Sequence, residues 1–288
     1  MFFKEWVVLL VDDEPDVLSV SKLAMRSIKV YDLPLKIYTA ASKADAIALF
    51  QDNLELSSSL AVAFIDVVME TDSAGLELCQ YIREEMENKV SQLFIRTGQP
   101  GMAPEREVID RYDISGYFTK VETTEDKLYS LVKSSVRQFL SSGMALATLN
   151  LLNEMIVNSY ASRANLLDTI HHIAVGNEGE SAWLIVDGQV LFADEVNAKG
   201  RMAIYYADGG LALYKKLSQS EGFPLDFSGD KYIRGEGNFH LIQVTAKAHQ
   251  AEVGYLFQTQ FNPPEHIIAL VYSFVQALAS IWNNTSTK

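Results

Sequence analysis

The run WVVLLVDDEP at residues 6–15 decides the reading of the first half of the chain. Six apolar residues in succession, ending on Asp12, Asp13, Glu14 and Pro15, are what a strand covered on both faces looks like where it runs out into a loop. Such strands belong to parallel sheets wrapped by helices, so the next segments should alternate helix and strand. They do: helical spacing over 17–28, a strand over 35–39, a helix over 43–54, an apolar strand over 60–68 and an amphipathic helix over 75–87. A strand at 93–96, a short helix at 105–112, a strand at 116–119 and a helix over 125–140 complete five strand–helix repeats. The expected architecture is a doubly wound α/β fold, a five-stranded parallel sheet wrapped on both faces, whose site lies at the carboxyl ends of its strands.

Composition sets the outer bounds. At 288 residues, with 48% hydrophobic and 21% charged side chains, the chain suits two globular domains. A net charge of −13 disfavours the basic surface that nucleic-acid binding needs. Cys79 is the single cysteine, so no internal disulfide is expected. Lys4 and Glu5 interrupt the apolar start and no continuous run reaches 18 apolar residues, so the expectation is a cytoplasmic protein without a membrane span.

The polar residues at the strand ends form one set: Asp12 and Asp13, Asp66, Thr97 and Lys120. Phosphoryl transfer to a carboxylate needs positioning and neutralisation of charge more than covalent help. In that reading Asp66 is the nucleophile, and Lys120 and Mg2+ neutralise the phosphoryl oxygens. Thr97 donates a hydroxyl hydrogen bond to one of them, and Gly98 leaves room and an amide. A magnesium ion favours oxygen ligands, for which Asp13, Asp66 and the Val68 carbonyl are the direct candidates, with Asp12 acting mostly through water. Clustered carboxylates raise one another's pKa unless cations offset them.

The segments VVLLVDDEPDVL, AFIDVVME, FIRTGQPG and GYFTK resemble, in order, the receiver domain of two-component response regulators. Intervals of 53, 31 and 23 residues separate Asp13, Asp66, Thr97 and Lys120. The first is longer than the family's, which places extra residues at 30–34 and 54–59. The resemblance implies phosphorylation of Asp66 by a histidine kinase, with Thr97 and Tyr117 as switch residues. One departure is Val121, where the family usually has proline after the lysine. Residues 67–85 and 96–114 are similar, more narrowly, to receivers that precede a middle domain and an HD-GYP phosphodiesterase. No His-Asp metal motif or GYP triplet follows residue 140.

We read domains at 1–140 (receiver), 141–175 (helical connector) and 176–288 (an α+β module similar in element order to GAF or PAS domains), with the break expected at Ser142-Gly143-Met144. Asp187-Gly188-Gln189 signals a hairpin between strands at 183–186 and 190–192. A helix around 211–217, a glycine-rich loop at 222–237, strands at 239–246 and 252–260 and a helix at 263–282 follow. Adjacent His171 and His172 face different ways on a helix and make a poor metal pair. Trp183, Tyr205, Tyr206 and Phe239 read as core more readily than as a ligand pocket. The apolar seam of the connector favours a homodimer. Three functions compete: a phosphorylation-controlled regulator that acts by interaction with a downstream protein and has no catalytic output domain, a sensor whose second domain binds a small ligand, and an enzyme with an unrecognised activity in the second domain, against which stands the lack of a convincing cluster of catalytic side chains there.

Overall fold

The computed structural model describes residues 3–98, 105–122, 124–159, 182–186, 189–193, 201–225, 229–245 and 252–284. The chain divides into two compact units, Phe3–Gly143 and Met144–Lys288 with the first two residues.

The first unit is built on a sheet of β1 (Trp6–Val11), β2 (Lys29–Val30), β3 (Leu33–Ala40), β4 (Leu60–Ile65), β5 (Gln92–Thr97) and β6 (Gly116–Thr119) in the order β2-β3-β1-β4-β5-β6. From β3 to β6 every pairing is parallel. β1 and β4 are buried along their whole length, as continuous apolar runs require when helices cover both faces. The helices are α1 (Pro15–Met25), α2 (Lys43–Asp52), α3 (Leu54–Ser59), α4 (Ala74–Gln80), α5 (Glu105–Tyr112) and α6 (Glu125–Ser159). α4 runs directly into a π-helical turn, Tyr81–Glu85.

The expected five parallel strands gain an antiparallel edge, because Lys29–Val30 pairs with Leu33–Pro34 around a turn at Tyr31 and Asp32, both at positive φ. That hairpin and α3 occupy the two stretches where the spacing called for extra residues. Trp6 anchors the hairpin by donating its indole N–H to the Val30 carbonyl at 2.8 Å. Inside the π turn, buried Arg83 donates to the carbonyls of Asn88, Ser91 and Asp113, at 2.8, 2.9 and 2.8 Å.

The two units divide between Gly143 and Met144, but the helix does not break there: α6 continues through Gly143 to Ser159, since a lone glycine costs a helix only about 1 kcal/mol. The rest of the connector, with His171 and His172, lies outside the described residues.

The second unit carries a six-stranded antiparallel sheet in the order β8-β7-β12-β11-β10-β9. Its strands are β7 (Ala182–Val186), β8 (Gln189–Ala193), β9 (Phe223–Pro224), β10 (Lys231–Arg234), β11 (Phe239–Thr245) and β12 (Glu252–Gln258). The 222–237 segment is therefore not a plain loop: it holds β9, β10 and a 3₁₀ turn, Glu236–Asn238. β7 and β8 pair as the hairpin expected from the sequence, with Asp187 and Gly188 outside the described residues.

Residues directly opposite one another in antiparallel strands share a face. Leu241, Leu256 and Trp183 are opposite in turn and, with Ile233, pack against Tyr214 and Leu217 of α7 (Arg201–Ser218). Trp183 and Phe239 thus belong to the core; the side chains of Tyr205 and Tyr206 lie outside the described residues. The other face carries His240, Phe257 and Tyr255, and the Tyr255 ring meets Phe274 of α8 (Glu265–Asn284) edge to face at 6.0 Å. Pro264 lies one residue before α8 and caps it by accepting from Ile267 and Ile268.

Glu125–Val157 and Glu265–Trp282 are long and apolar enough to cross a membrane by composition. In the second of these, Ile267, Ile268, Val271, Phe274, Val275 and Leu278 are buried, which is the pattern of a core helix.

Candidate phosphoryl-acceptor site

Strand register assembles the site. Val11 of β1 sits opposite Ile65 of β4, and the Asp66 amide continues that ladder by donating to the Val11 carbonyl at 2.9 Å. Asp12 and Asp66, each one residue beyond its strand, are thereby brought side by side. Thr97 and Thr119 are opposite in β5 and β6, and the Lys120 amide donates to the Thr97 carbonyl at 2.8 Å. Pro15 starts α1 at once, and the Glu14 amide donates to Asp12 Oδ1 at 3.0 Å, folding the acidic run into a tight turn.

Lys120 Nζ is the hub, 3.0 Å from Asp12 Oδ1, 2.9 Å from Asp66 Oδ2 and 2.6 Å from Glu14 Oε1. Asp12 and Asp66 are buried, while Asp13 and Glu14 are exposed. Carboxylate oxygens of Asp12, Asp13, Glu14 and Asp66 all lie within 4.8 Å of one another. Asp66 Oδ1 and Asp12 Oδ2 are buried without a hydrogen-bond donor among the described residues. Two buried, donor-free carboxylate oxygens beside two exposed acids are a donor set that fits a hard divalent cation.

Burial is the largest influence on Asp66 and pushes its pKa up; Lys120 opposes it, and the charge on Asp12 adds only a smaller upward push. The repulsion expected from sequence is present, but desolvation outweighs it. Lys120 itself is drawn up by Asp66, Glu14 and Asp12 against the opposing effect of burial, and it holds Glu14 below the usual carboxylate range.

The remaining residues named from the sequence are placed as follows. Thr97 is buried at the end of β5. Val68 is half-buried two residues past Asp66 in the loop to α4. Tyr117 is half-buried against the core of this unit, with its hydroxyl oxygen out of solvent. Gly98 is exposed. Around Lys120 the chain turns tightly, because Glu122 accepts from the Thr119 amide and hydroxyl at 2.8 and 2.7 Å. Val121 is 92% exposed on that turn, so the Glu122 clasp stands where the family's proline would have stiffened the loop.

Spacing along the chain assigns no role to two residues of the pocket, Glu14 and Arg96. Arg96 is buried, donates from Nη1 to Ser21 Oγ at 2.8 Å and places Nη2 3.5 Å from Asp12 Oδ2. A guanidinium at the end of the apolar run LFI was the available signal.

No protein-family model matches the chain. Over 134 residues, 46% of its length, it is 41% identical to 3'3'-cGAMP-specific phosphodiesterase 2 of Vibrio cholerae, of which the match covers 25%. The N-terminal half of the chain is a CheY-like receiver domain. The chain thus spans about a quarter of the length of the curated relative it matches. Solved structures similar to the receiver include the signal receiver domain of an HD domain-containing protein from Pseudomonas fluorescens, at 15% identity and a TM-score of 0.41, covering 49% of this chain and 94% of that one. Another is a signal receiver domain of a two-component histidine kinase from Clostridium thermocellum, at 20% identity and 0.38, covering 46% and 97%.

Proposed function

We propose that this chain is a response regulator in which Asp66 accepts a phosphoryl group from a histidine kinase with Mg2+ present, and that the second unit passes the signal on by interaction. The observation that carries the proposal is the buried Asp66 carboxylate, one oxygen 2.9 Å from Lys120 and the other without a donor among the described residues. One carboxylate oxygen attacks phosphorus while the other stays with the cations of the pocket. The P–O bond to Asp66 forms as the P–N bond of the kinase phosphohistidine breaks, and the imidazole leaves with its electron pair. Asp13, Asp66 and the Val68 carbonyl would hold the metal, with Asp12 nearby, and it would supply positive charge to the phosphoryl oxygens. Lys120 meets one of those oxygens and the Thr97 hydroxyl donates to another.

Phosphorylation adds about −1.5 to −2 charges at this edge of the sheet. Tyr117 lies on β6, whose last residue adjoins Lys120, so repositioning of Thr97 and Tyr117 is the route by which the new charge changes the surface seen by a partner. The second unit, an antiparallel sheet between α7 and α8, serves as a GAF/PAS-like interaction module. Homodimerisation through α6 is supported by Leu146, Leu149, Ile156 and Val157, all exposed. Leu149 and Ile156 are one heptad apart, as are Leu146 and Asn153, the latter suited to fixing register in a helix pair. The hydrolytic activity in the relative's name is not assigned to this chain, whose match covers a quarter of that relative's length.

Beryllofluoride with Mg2+ is expected to raise the melting temperature of the protein and to shift its amide spectrum, with neither effect in Asp66→Asn. An equal response in that variant places the acceptor elsewhere. Light scattering of the full chain with and without beryllofluoride tests the dimer, which Leu149→Glu should abolish.

A further inference from the structure

We infer that Arg96 is a positioning residue of the acceptor pocket: a fixed counterion that holds Asp12 when Lys120 turns toward the incoming phosphoryl group. The inference rests on the phosphorylation reading above and adds a residue to it.

An arginine is almost never fully buried unless it is paired. Arg96 is 5% exposed, and its side-chain partners among the described residues are Ser21 of α1 and Asp12 of the site. Nη1 is anchored on the hydroxyl of Ser21, itself buried on α1, at 2.8 Å. Nη2 faces Asp12 Oδ2 at 3.5 Å, a charge contact too long for a hydrogen bond. Lys120 takes the other oxygen, Oδ1, at 3.0 Å. Asp12 therefore lies between two cations of different freedom. Arg96 is planar, permanently charged and tied at its far nitrogen, whereas Lys120 is a compact ammonium on a flexible stem.

That difference matters once a phosphoryl group arrives. The ammonium has three N–H groups, and three carboxylates surround it: Asp12, Glu14 and Asp66. A phosphoryl oxygen can join only by displacing one of them. Glu14 is exposed and returns to water when released. Asp12 is 1% exposed, and releasing it would strand a buried carboxylate unless another cation stays beside it. Arg96 occupies that place and does not have to move. Its service is thus specific to the step in which Lys120 is recruited, not to metal binding in the resting pocket.

The test compares two titrations on the full-length chain, Mg2+ alone and beryllofluoride at saturating Mg2+, in wild type, Arg96→Met, Arg96→Lys and Ser21→Ala. Arg96→Met should weaken beryllofluoride about tenfold, the scale of one charge-assisted contact, without weakening Mg2+. Arg96→Lys should recover part of the loss, and in an Asp12→Asn background the Arg96→Met effect should shrink toward nothing. The inference is overturned if Arg96→Met binds beryllofluoride like wild type. It is equally overturned if both ligands weaken in proportion, or if the loss persists unchanged without the Asp12 charge. Should Arg96→Met not fold, Ser21→Ala decides by the same comparison, with a loss of about threefold in beryllofluoride alone expected from loosening the anchor. If wild type itself binds neither ligand, the phosphorylation reading fails and takes this inference with it; a responsive wild type with an unaffected Arg96→Met defeats the inference alone.

Discussion

Gly75→Ala should damage the acceptor site from a distance of nine residues in sequence, while the same change at Gly143 should stabilise the protein. A Cβ on Gly75 would fall 1.8 Å from the Asp66 carbonyl oxygen, 2.8 Å from its carbon and 3.0 Å from Val67 Cα. All three are backbone atoms, so no rotamer relieves the clash, and the first turn of α4 must retreat by about 1.2 Å to restore even a 3.0 Å contact. The Gly75 amide donates to the Val67 carbonyl at 3.0 Å, and that bond would be lost in the retreat. Overpacking of this kind costs about 1–3 kcal/mol, and a buried carbonyl left unpaired adds about 1 kcal/mol or more. The displaced peptide is that of Asp66 itself. A misplacement of about 1 Å in reacting groups can cost roughly a hundredfold in rate, so acetyl phosphate should phosphorylate the variant more slowly by that order. At Gly143, in mid-helix, nothing lies within 4 Å of the added Cβ, and alanine should stabilise by about 0.5–1 kcal/mol. Thermal melts and a phosphorylation time course check both. A Gly75→Ala protein that melts and phosphorylates like wild type refutes the argument that α4 is packed directly on the acceptor peptide.

Metal-free Asp66→Asn should melt above wild type at neutral pH. Burial raises the Asp66 pKa, so its ionised form costs stability above the folded pKa and costs nothing below the unfolded one; the advantage should close as pH falls through that window. His240 behaves oppositely. Buried between Tyr232 and Thr259, with its pKa pushed down to about 4 by burial, it must stay neutral to fold. Stability from this group is full above the unfolded value of 6.5 and is lost as pH falls toward 4, amounting to about 3 kcal/mol. Denaturant melts of the second unit's transition between pH 7 and 4 should show that slope in wild type and a flatter one in His240→Phe. Arg83→Met should destabilise the receiver by about 3 kcal/mol or more, because three carbonyls lose their buried donor; an unchanged urea midpoint would contradict this.

The receiver was legible because its site obeys strand arithmetic. A buried strand that ends in acids, repeated at Val11 and Ile65 in parallel register, fixes Asp12 beside Asp66 without knowledge of any side-chain contact. What sequence could not give was the partition of charge within the pocket. Glu14 joins it because Pro15 forces the helix to begin at once, and Arg96 joins through Ser21, 75 residues earlier. Neither contact has a local spacing to betray it. The β2–β3 hairpin was hidden for another reason: its turn uses Tyr31 and Asp32 at positive φ, where glycine or asparagine would have announced it.

In the second unit the elements were partly legible and their assembly was not, and the reason lies in what its strands bury. β11 reads FHLIQVT, and two of its buried side chains, His240 and Gln243, are polar. Apolar alternation therefore says little about which face meets which helix. The structure divides them: His240, flanked by Tyr232 and stacked on Phe257, lies on one face, and Gln243 on the other donates to Glu252 at 2.8 Å and approaches Tyr214 of α7. The His240 ring and the Gln243 amide nitrogen each find partners on their own face, a property of the pairing and not of the strand, while Gln243 Oε1 is buried without a partner among the described residues. Gly254, opposite Gln243 in β12, completes the arrangement: a Cβ there would fall 2.5 Å from the Tyr214 ring, so the glycine opens the space in which the tyrosine reaches Glu252. A sheet with a separate polar network on each face carries its specificity in cross-strand pairs, and those become visible only once the register is known.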